Sequence, residues 1–222
     1  MLLDNPGWYA LNSHHRHLAI LGNDAARYQP DIFDLGATPH NSAEEFESLR
    51  SLVEIDEIVY VGGSLPGTLS GWEVIRQNQL PQMVCDELRH STYVDAVRLN
   101  TDDVPEMIEL VALTQPGPFL SRTIELGQYI GIRQEGKLVA MAGEREHLMG
   151  FCEISAVCTD PEYRGRGYAS ALTSMIAEAI FERQEVPYLH VDSTNKIAIK
   201  IYERLGFRLR THIPVARIKR VV

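Results

Sequence analysis

A segment at 163–169 has the composition of a phosphate-binding loop. It reads Tyr-Arg-Gly-Arg-Gly-Tyr-Ala, and a strongly helical pattern follows it. Glycines let the backbone approach a ligand closely, and the free N–H groups at the start of a helix favour an anion. Arg164 and Arg166 add permanent positive charge. The segment therefore predicts a pyrophosphate site, with a glycine-containing turn and two solvated arginines as the alternative.

Two other phosphate-binding motifs do not fit this segment. A dinucleotide fingerprint needs glycine where Ser170 stands, and it usually opens a longer series of strand-helix units than the remaining chain supplies. A P-loop needs Gly-Lys followed by serine or threonine after its spacer, and the sequence has no such motif.

A second cluster lies downstream, at Asn195, Ala198 and Tyr202. Asn195 is a typical helix N-cap, and its side chain can also hydrogen-bond a ligand amide. Ala198 and Tyr202 are four residues apart and share a helical face. A small residue beside a phenol leaves room for a ligand chain and places an O–H group near its end. The alternative for Tyr202 is a half-buried packing role.

The elements around these clusters predict a mixed α/β domain. A helix over 167–184 with one apolar face lies between strands at 151–159 and 188–191, which indicates a crossover between parallel strands. A second helix over 195–205 ends at Gly206. Further predicted elements are a strand at 93–99, a helix at 101–113, a hairpin of 129–134 with 138–144, and strands at 207–210 and 215–218. The first 92 residues predict a helix at 43–53 behind a Ser42/Glu45 capping box, and strands at 57–61, 72–77 and 80–85.

Together the two clusters resemble a known family. Arg164-x-x-Gly167-x-Ala169 resembles the coenzyme A signature of the GNAT superfamily of acyl-CoA-dependent N-acyltransferases. Asn195-x-x-Ala198-x-x-x-Tyr202, followed by Gly206-Phe207, resembles that superfamily's downstream motif. The resemblance covers residues 93–222 and looks closest to the subgroup with a glycine N-acyltransferase-like C-terminal domain.

The resemblance implies an α/β (α+β) fold with a mixed, mostly antiparallel sheet. Its central parallel strands, here 151–159 and 188–192, are expected to splay apart and admit the pantetheine arm. Residues 93–222 are expected to form the catalytic domain. Residues 1–92 are expected to form an N-terminal α/β accessory domain that shapes the acceptor side. One form that this domain could take is a degenerate half of the same fold.

The resemblance also implies roles for particular residues. Backbone groups of Val157, Cys158 and Thr159 match those that bind the pantetheine amides. The residues that match the pyrophosphate loop are Arg164, Gly165, Arg166, Gly167, Tyr168 and Ala169, and those that match the lining of the pantetheine arm are Asn195 and Ala198. Tyr202 matches the usual proton donor to the departing thiolate, a role that suits a phenol because the sulfur leaves as an anion.

The general base is expected to be Glu153, which resembles the base carboxylate of histone-acetylating members in its position. Burial is expected to raise its pKa into a useful range. A structural carboxylate that pairs with an arginine is the alternative, and the rivals for the base are Glu144, Glu146, His190 and a chain of water.

Composition and charge bound the partners. The chain has 222 residues, and its charge is uneven. There are 5 basic and 13 acidic residues in 1–93, and 16 basic and 17 acidic residues in 94–222. An acidic part disfavours nucleic acid and attracts a cationic or amine partner, unless the charge serves only solubility.

No apolar run approaches the length of a membrane span, and no signal peptide is expected. Three cysteines outside any Cys/His motif indicate reduced, structural thiols in the cytoplasm. No metal is expected, because His14-His15-x-His17 has no acidic or cysteine partner at a convincing spacing.

These observations predict an N-acetyltransferase that uses acetyl-CoA. A primary amine on a small molecule or peptide is expected to attack the thioester directly in a ternary complex. The alternative is a coenzyme A-binding sensor or interaction module without catalysis, against which Tyr202 and the complete loop argue. The acceptor, the acyl chain and the oligomeric state stay open, with a homodimer as one arrangement.

Overall fold

The computed structural model describes residues 1–89 and 93–222, in which helices pack around a large mixed sheet. The α-helices are α1 (Pro6–Leu11), α2 (Ala43–Arg50), α3 (Val104–Thr114), α4 (Tyr168–Glu182) and α5 (Lys196–Leu205). The strands are β1 (Ala19–Leu21), β2 (Ala26–Tyr28), β3 (Gly36–Ala37), β4 (Ile58–Gly62), β5 (Trp72–Val84), β6 (Val97–Arg98), β7 (Tyr129–Gln134), β8 (Lys137–Leu148), β9 (Phe151–Thr159), β10 (Val186–His190) and β11 (Arg208–Arg220). No helix of the described residues has both the length and the apolar character needed to cross a membrane.

The main sheet has the order β4-β11-β5-β10-β9-β8-β7-β6 in the described residues. Strands β9 and β10 are parallel, and the other neighbouring pairs are antiparallel. The parallel pairing runs from Val186–Phe151 to Tyr188–Glu153, although β9 continues to Thr159 and β10 to His190. The predicted mixed sheet and its splayed parallel pair are therefore confirmed.

Helices α4 and α5 form where the sequence predicts them. The apolar face of α4, which includes Leu172, Ile176 and Ile180, is fully buried against the sheet. Helix α5 ends at Gly206, whose φ of +110° is left-handed. A Cβ at this position would lie 2.4 Å from the carbonyl oxygen of Glu87, so glycine is required for the chain to turn here.

Strands β5 and β11 are longer than the sequence predicts. The predicted strands at 72–77 and 80–85 form one strand, as do those at 207–210 and 215–218, and β5 and β11 pair along almost their whole lengths. The register of this pairing shifts at β-bulges between Leu209 and Thr211 and between Arg217 and Ile218. The predicted strand at 93–99 is wrong in extent, because only Val97–Arg98 pairs with β7.

The two faces of the sheet are covered by different helices. Helices α4 and α5 cover one face and bury residues such as Met83 and Leu189. Helix α2 covers Val59 and Ala216 on the same face. Helix α1 lies on the other face, where Ala10 packs with Tyr188. Helix α3 covers Met141 and Cys158 on this second face, which stays open between α1 and the loop after α3.

Residues 1–92 and 93–222 share the main sheet. Strands β4 and β5 come from the first part, and β11 of the second part lies between them. The first part also adds a small sheet of β1, β2 and β3. The division into an accessory and a catalytic domain stays a prediction, and its boundary falls on residues 90–92, which lie outside the described residues.

Candidate functional site

The predicted phosphate-binding loop lies between β9 and α4. It starts at Asp160, whose carboxylate accepts a hydrogen bond from the Glu162 N–H at 3.0 Å and pairs with Lys137 at 2.7 Å. Gly165 and Gly167 have φ values of +79° and +82°, which a side chain would strain. Arg166 lies over the Tyr163 ring, 4.8 Å from its centroid, and is exposed. The loop is thus anchored at its base and open at its tip.

Three observations fit this loop to a pyrophosphate and the chain attached to it. Nothing in the described residues lies within 4 Å of a Cβ built on Gly165 or Gly167, so the backbone is accessible there. No side chain of the described residues caps α4, which leaves its first N–H groups for an anion. The Oγ1 of Thr159 is buried without a hydrogen-bond partner among the described residues, as expected of a group that meets a polar ligand.

Replacing Gly167 by valine is expected to weaken coenzyme A binding at least tenfold, or about 1.4 kcal/mol. A branched side chain would occupy the accessible surface in front of the α4 N-terminus, while the left-handed φ adds strain. Isothermal titration calorimetry measures the affinity. Gly150→Val is the control, because Gly150 has the same kind of φ, +77°, and equally open space at the β8–β9 turn. Equal affinities for both variants and the wild type would reduce the loop to an ordinary turn.

The end of β9 lies beside the gap between the splayed strands. Ala156 has a φ of +53° within the strand, and the pairing with β8 shifts in register at this level. Beyond Glu153, β8 is the only strand of the described residues that pairs with β9, while His190 at the end of β10 pairs with Gln82 of β5. The edge of β9 that includes Val157 and Thr159 is therefore free on the side of the gap, as its predicted contact with pantetheine requires.

The cysteines of β9 do not have the properties of nucleophiles. Burial raises the pKa of the Cys158 thiol to about 11, and burial also raises the pKa of Cys152 well above its usual value. A thiol that stays protonated at neutral pH is a poor nucleophile. Both side chains are fully or nearly fully buried, in agreement with the structural role that the sequence predicts.

Helix α5 carries the second cluster. The Asn195 Oδ1 accepts a hydrogen bond from the Ala198 N–H at 3.1 Å, so Asn195 is the predicted N-cap. Tyr202 is 8% exposed and packs against Phe207, with 6.0 Å between the ring centroids. Burial raises the pKa of Tyr202 to about 12, and the nearby Cys158 acts in the same direction. The phenol therefore lies close to the end of β9 and stays protonated at neutral pH.

Glu153 is held in a buried ion pair. Its two oxygens each accept a hydrogen bond from Arg145, both at 2.7 Å, and the side chain has no exposed surface. The Nδ1 of His190 lies 2.8 Å from Oε1. Burial by itself would raise the pKa of Glu153, but Arg145 and His190 lower it far below its usual value. The expectation of a raised pKa is wrong, because a bidentate guanidinium stabilises the charged form.

Glu146 lies next to Arg145 on β8, and its pKa shifts in the direction opposite to that of Glu153. Its side chain is buried, and the Tyr188 hydroxyl lies 3.4 Å from its Oε2. Burial raises the pKa of Glu146 to about 7, and the charge of Glu153 acts in the same direction, whereas Arg145 opposes it. A carboxyl that exchanges its proton near neutral pH is suited to general base catalysis.

The other two rivals for the base are engaged elsewhere. Glu144 pairs with Arg183 at 2.8 Å and accepts the Gln128 N–H at 3.1 Å. His190 contacts Glu153 through Nδ1 and Gln82 through Nε2, at 3.0 Å. Arginines therefore neutralise both Glu144 and Glu153.

A cavity of about 350 Å³ lies on the sheet face that α1 covers in part. It is lined by Pro6 and Gly7 of α1, by Glu146 and His190, and by the loop at 115–118 after α3. It continues across β10, β5, β11 and β4. The cavity lies on the face opposite α4 and α5, so the phosphate loop and the cavity approach the parted strands from different sides.

His14 and His15 are adjacent in the sequence but make different contacts in the structure. His15 is buried and contacts the Tyr28 hydroxyl at 2.8 Å, whereas His14 stacks on His147, with 4.1 Å between the ring centroids. The His147 Nε2 lies 2.6 Å from a Glu185 oxygen. Ligand atoms of His14, His147 and Glu185 lie within 4.8 Å of one another. This grouping is not visible in the sequence, and the absence of a metal stays a prediction.

Several site residues are not identified by the sequence motifs. Arg145, which keeps Glu153 charged, belongs to no motif. The same is true of Arg76 at the far part of the cavity and of Arg217 in the shallow depression beside it. The only signal on β8 is a pair of carboxylates, Glu144 and Glu146, within an otherwise buried strand. That signal supports both as candidates and does not distinguish them.

Comparisons with known proteins agree with this geometry. The family described as FR47-like protein matches residues 129–214. The chain is 35% identical to a GNAT-family protein from Novosphingobium aromaticivorans, and the match covers 100% of both chains with a TM-score of 0.92. A GCN5-related N-acetyltransferase from Kribbella flavida is 14% identical over 95% of both chains, with a TM-score of 0.64, which shows a shared fold. No protein of curated function matches the chain.

Proposed function

Because the chain belongs to the GNAT family of acetyltransferases, we propose that it transfers an acetyl group from acetyl-CoA to a primary amine. The proposal rests on one observation above all. The parted strands β9 and β10 have on one side a loop whose open backbone and uncapped helix start fit a pyrophosphate and, on the other, a cavity lined by the buried side chain of Glu146. This arrangement allows direct attack in a ternary complex without a covalent enzyme intermediate.

The residues at the α4 end would hold the coenzyme, which supplies the acetyl group as a thioester. Backbone N–H groups of Gly165 to Ala169 would bind the pyrophosphate, with Arg164 and Arg166 as exposed counter-charges. The free edge of β9, from Val157 to Thr159, would bind the amides of the pantetheine arm. Ala198 gives that arm space beside α5, while Asn195 maintains the start of the helix.

Glu146 is the proposed general base on the acceptor side. An amine that arrives as an ammonium ion must lose a proton before it attacks, and the Glu146 carboxylate lines the cavity where it would arrive. Glu153, as the charged partner of Arg145, is proposed to position Arg145 and His190 and not to take the proton. This assignment replaces Glu153 by Glu146 as the base.

Tyr202 is proposed to donate a proton to the departing sulfur. Its pKa of about 12 keeps the hydroxyl protonated, and burial excludes water that would compete for the hydrogen bond. A phenol beside a developing thiolate lowers the free energy of the transition state by charge-assisted hydrogen bonding.

The competing function is a coenzyme A-binding module without catalysis. Purified protein incubated with acetyl-CoA, with and without a panel of primary amines, separates the two functions. Free thiol release that depends on the amine, together with acetylated amine in a mass spectrum, is the expected result. Tight coenzyme A binding without amine-dependent thiol release would support the binding module.

Three further parts of the proposal are a small-molecule or peptide acceptor, a cytoplasmic location and closeness to the glycine N-acyltransferase-like subgroup.

A further inference from the structure

The far end of the acceptor cavity is basic. Arg76 of β5 and Arg217 of β11 line a shallow depression that shares Tyr60, Leu80 and Val215 with the main cavity. The two depressions therefore form one trough on the open face of the sheet. We call this the acceptor trough, with Glu146 at its acidic end and the arginine pair at its basic end.

The two arginines lie directly opposite each other on neighbouring strands. Arg217 pairs in register with Arg76, and like charges at facing positions are destabilising. Within residues 1–89 and 93–222, neither guanidinium has a carboxylate within ion-pair distance: Arg76 donates to the Asn78 side chain at 3.0 Å, and Arg217 lies over the Tyr60 ring at 6.0 Å. Asp192 and Asp34 act on them only at longer range. An anionic ligand group would relieve this repulsion.

The trough has a defined length. Arg76, Asn78 and Leu80 line it along β5. Glu146 lies on β8, three strands from β5, at the level of Glu153, which pairs with Tyr188 and through it with Val84. Because Arg76 leans towards Asn78, its guanidinium lies about 20 Å along the strands and about 14 Å across them from Glu146, at about 3.3 Å per residue and 4.8 Å per strand. An extended peptide of about seven residues covers the resulting distance of about 24 Å.

From this geometry we infer that the acceptor is a short peptide, acetylated on its N-terminal amine beside Glu146 and bound through a terminal carboxylate by Arg76 and Arg217. The inference rests on the proposed function. Acid-base chemistry supports it, because a peptide α-amino group has a pKa of about 8 and a lysine side chain about 10.4. A base such as Glu146, which titrates near neutral pH, takes a proton far more readily from the α-amino group.

A heptapeptide of alternating glycine and serine and its C-terminal amide are matched probes, because they differ only in the terminal charge. Wild-type protein is expected to show a KM at least tenfold lower for the free-acid heptapeptide, with a similar kcat. The double variant Arg76→Gln/Arg217→Gln is expected to lose this preference, because its KM for the free acid should rise to that for the amide. Arg208→Gln is the control, since Arg208 lies on the same strand outside the trough and pairs with Asp86. Thermal melting checks that the variants fold.

A second readout does not need turnover. Calorimetry of both heptapeptides against the protein with coenzyme A is expected to give at least tenfold tighter binding of the free acid, and the double variant is expected to remove the difference. Equal KM and equal affinity for the two peptides would overturn the inference, even if another amine is acetylated and the proposed function stands. Carboxylate-dependent binding without any acetyl transfer would support the trough and overturn the proposed function.

Discussion

Replacing Glu146 by glutamine is expected to lower kcat/KM by about 10²-fold or more near pH 7.5, because the variant has no group to accept the proton of the amine. The pH dependence gives the sharper test. In the wild type, kcat/KM should fall as pH decreases through about 7, where Glu146 becomes protonated. The defect of the variant should therefore shrink at low pH, where the wild type also lacks its base, and at high pH, where free amine is abundant. Rate profiles between about pH 6 and 9.5 measure this.

Glu153→Gln distinguishes the rival assignment of the base. This substitution leaves the buried Arg145 without its charged partner, so we expect a lower melting temperature. It also removes a charge that raises the pKa of Glu146, so the acidic limb of the rate profile should move to lower pH and keep its shape. Loss of the acidic limb in Glu153→Gln, with a wild-type profile in Glu146→Gln, would return the role of base to Glu153. Wild-type profiles for both variants would point to His190 or to water.

Removing the hydroxyl of Tyr202 is expected to lower turnover by roughly 10²-fold while coenzyme A affinity stays nearly unchanged. The ring of Tyr202→Phe keeps its packing against Phe207, so the loss isolates the O–H group. Turnover is measured with a good acceptor under conditions where chemistry limits the rate, and affinity is measured by calorimetry.

Tyr129→Phe is the matched control for Tyr202→Phe. Tyr129 is also a buried tyrosine, and it packs against Phe119 in the core under α3, outside the lining of the acceptor cavity. Removal of its hydroxyl is expected to leave turnover unchanged. Wild-type turnover in Tyr202→Phe would reduce Tyr202 to a packing residue, as the alternative interpretation of the sequence holds.

The sequence by itself determined the parts of this protein that depend on local interactions. The loop before α4 is one, since the conformations of Gly165 and Gly167 and the start of α4 are set within a few residues. The N-cap of α5 at Asn195 is another, because the hydrogen bond spans three residues. The apolar period of α4 also specifies its buried face without knowledge of the sheet.

Only the tertiary structure decided the chemical state of the carboxylates. Glu153 and Glu146 belong to neighbouring strands and are both buried, yet their pKa values shift in opposite directions. The difference comes from Arg145 and from His190, which approaches from 37 residues away in the chain. Electrostatic free energies depend on distances of a few ångströms between such groups, and sequence spacing does not contain those distances.

Strand register is the second property that needed the fold. Arg76 and Arg217 are separated by most of the chain, and only the pairing of β5 with β11 places them opposite each other. The same pairing brings residues from both ends of the chain into one trough beside Glu146. Because a shift of one residue moves every side chain to the other face of the sheet, no local pattern determines which charges meet there.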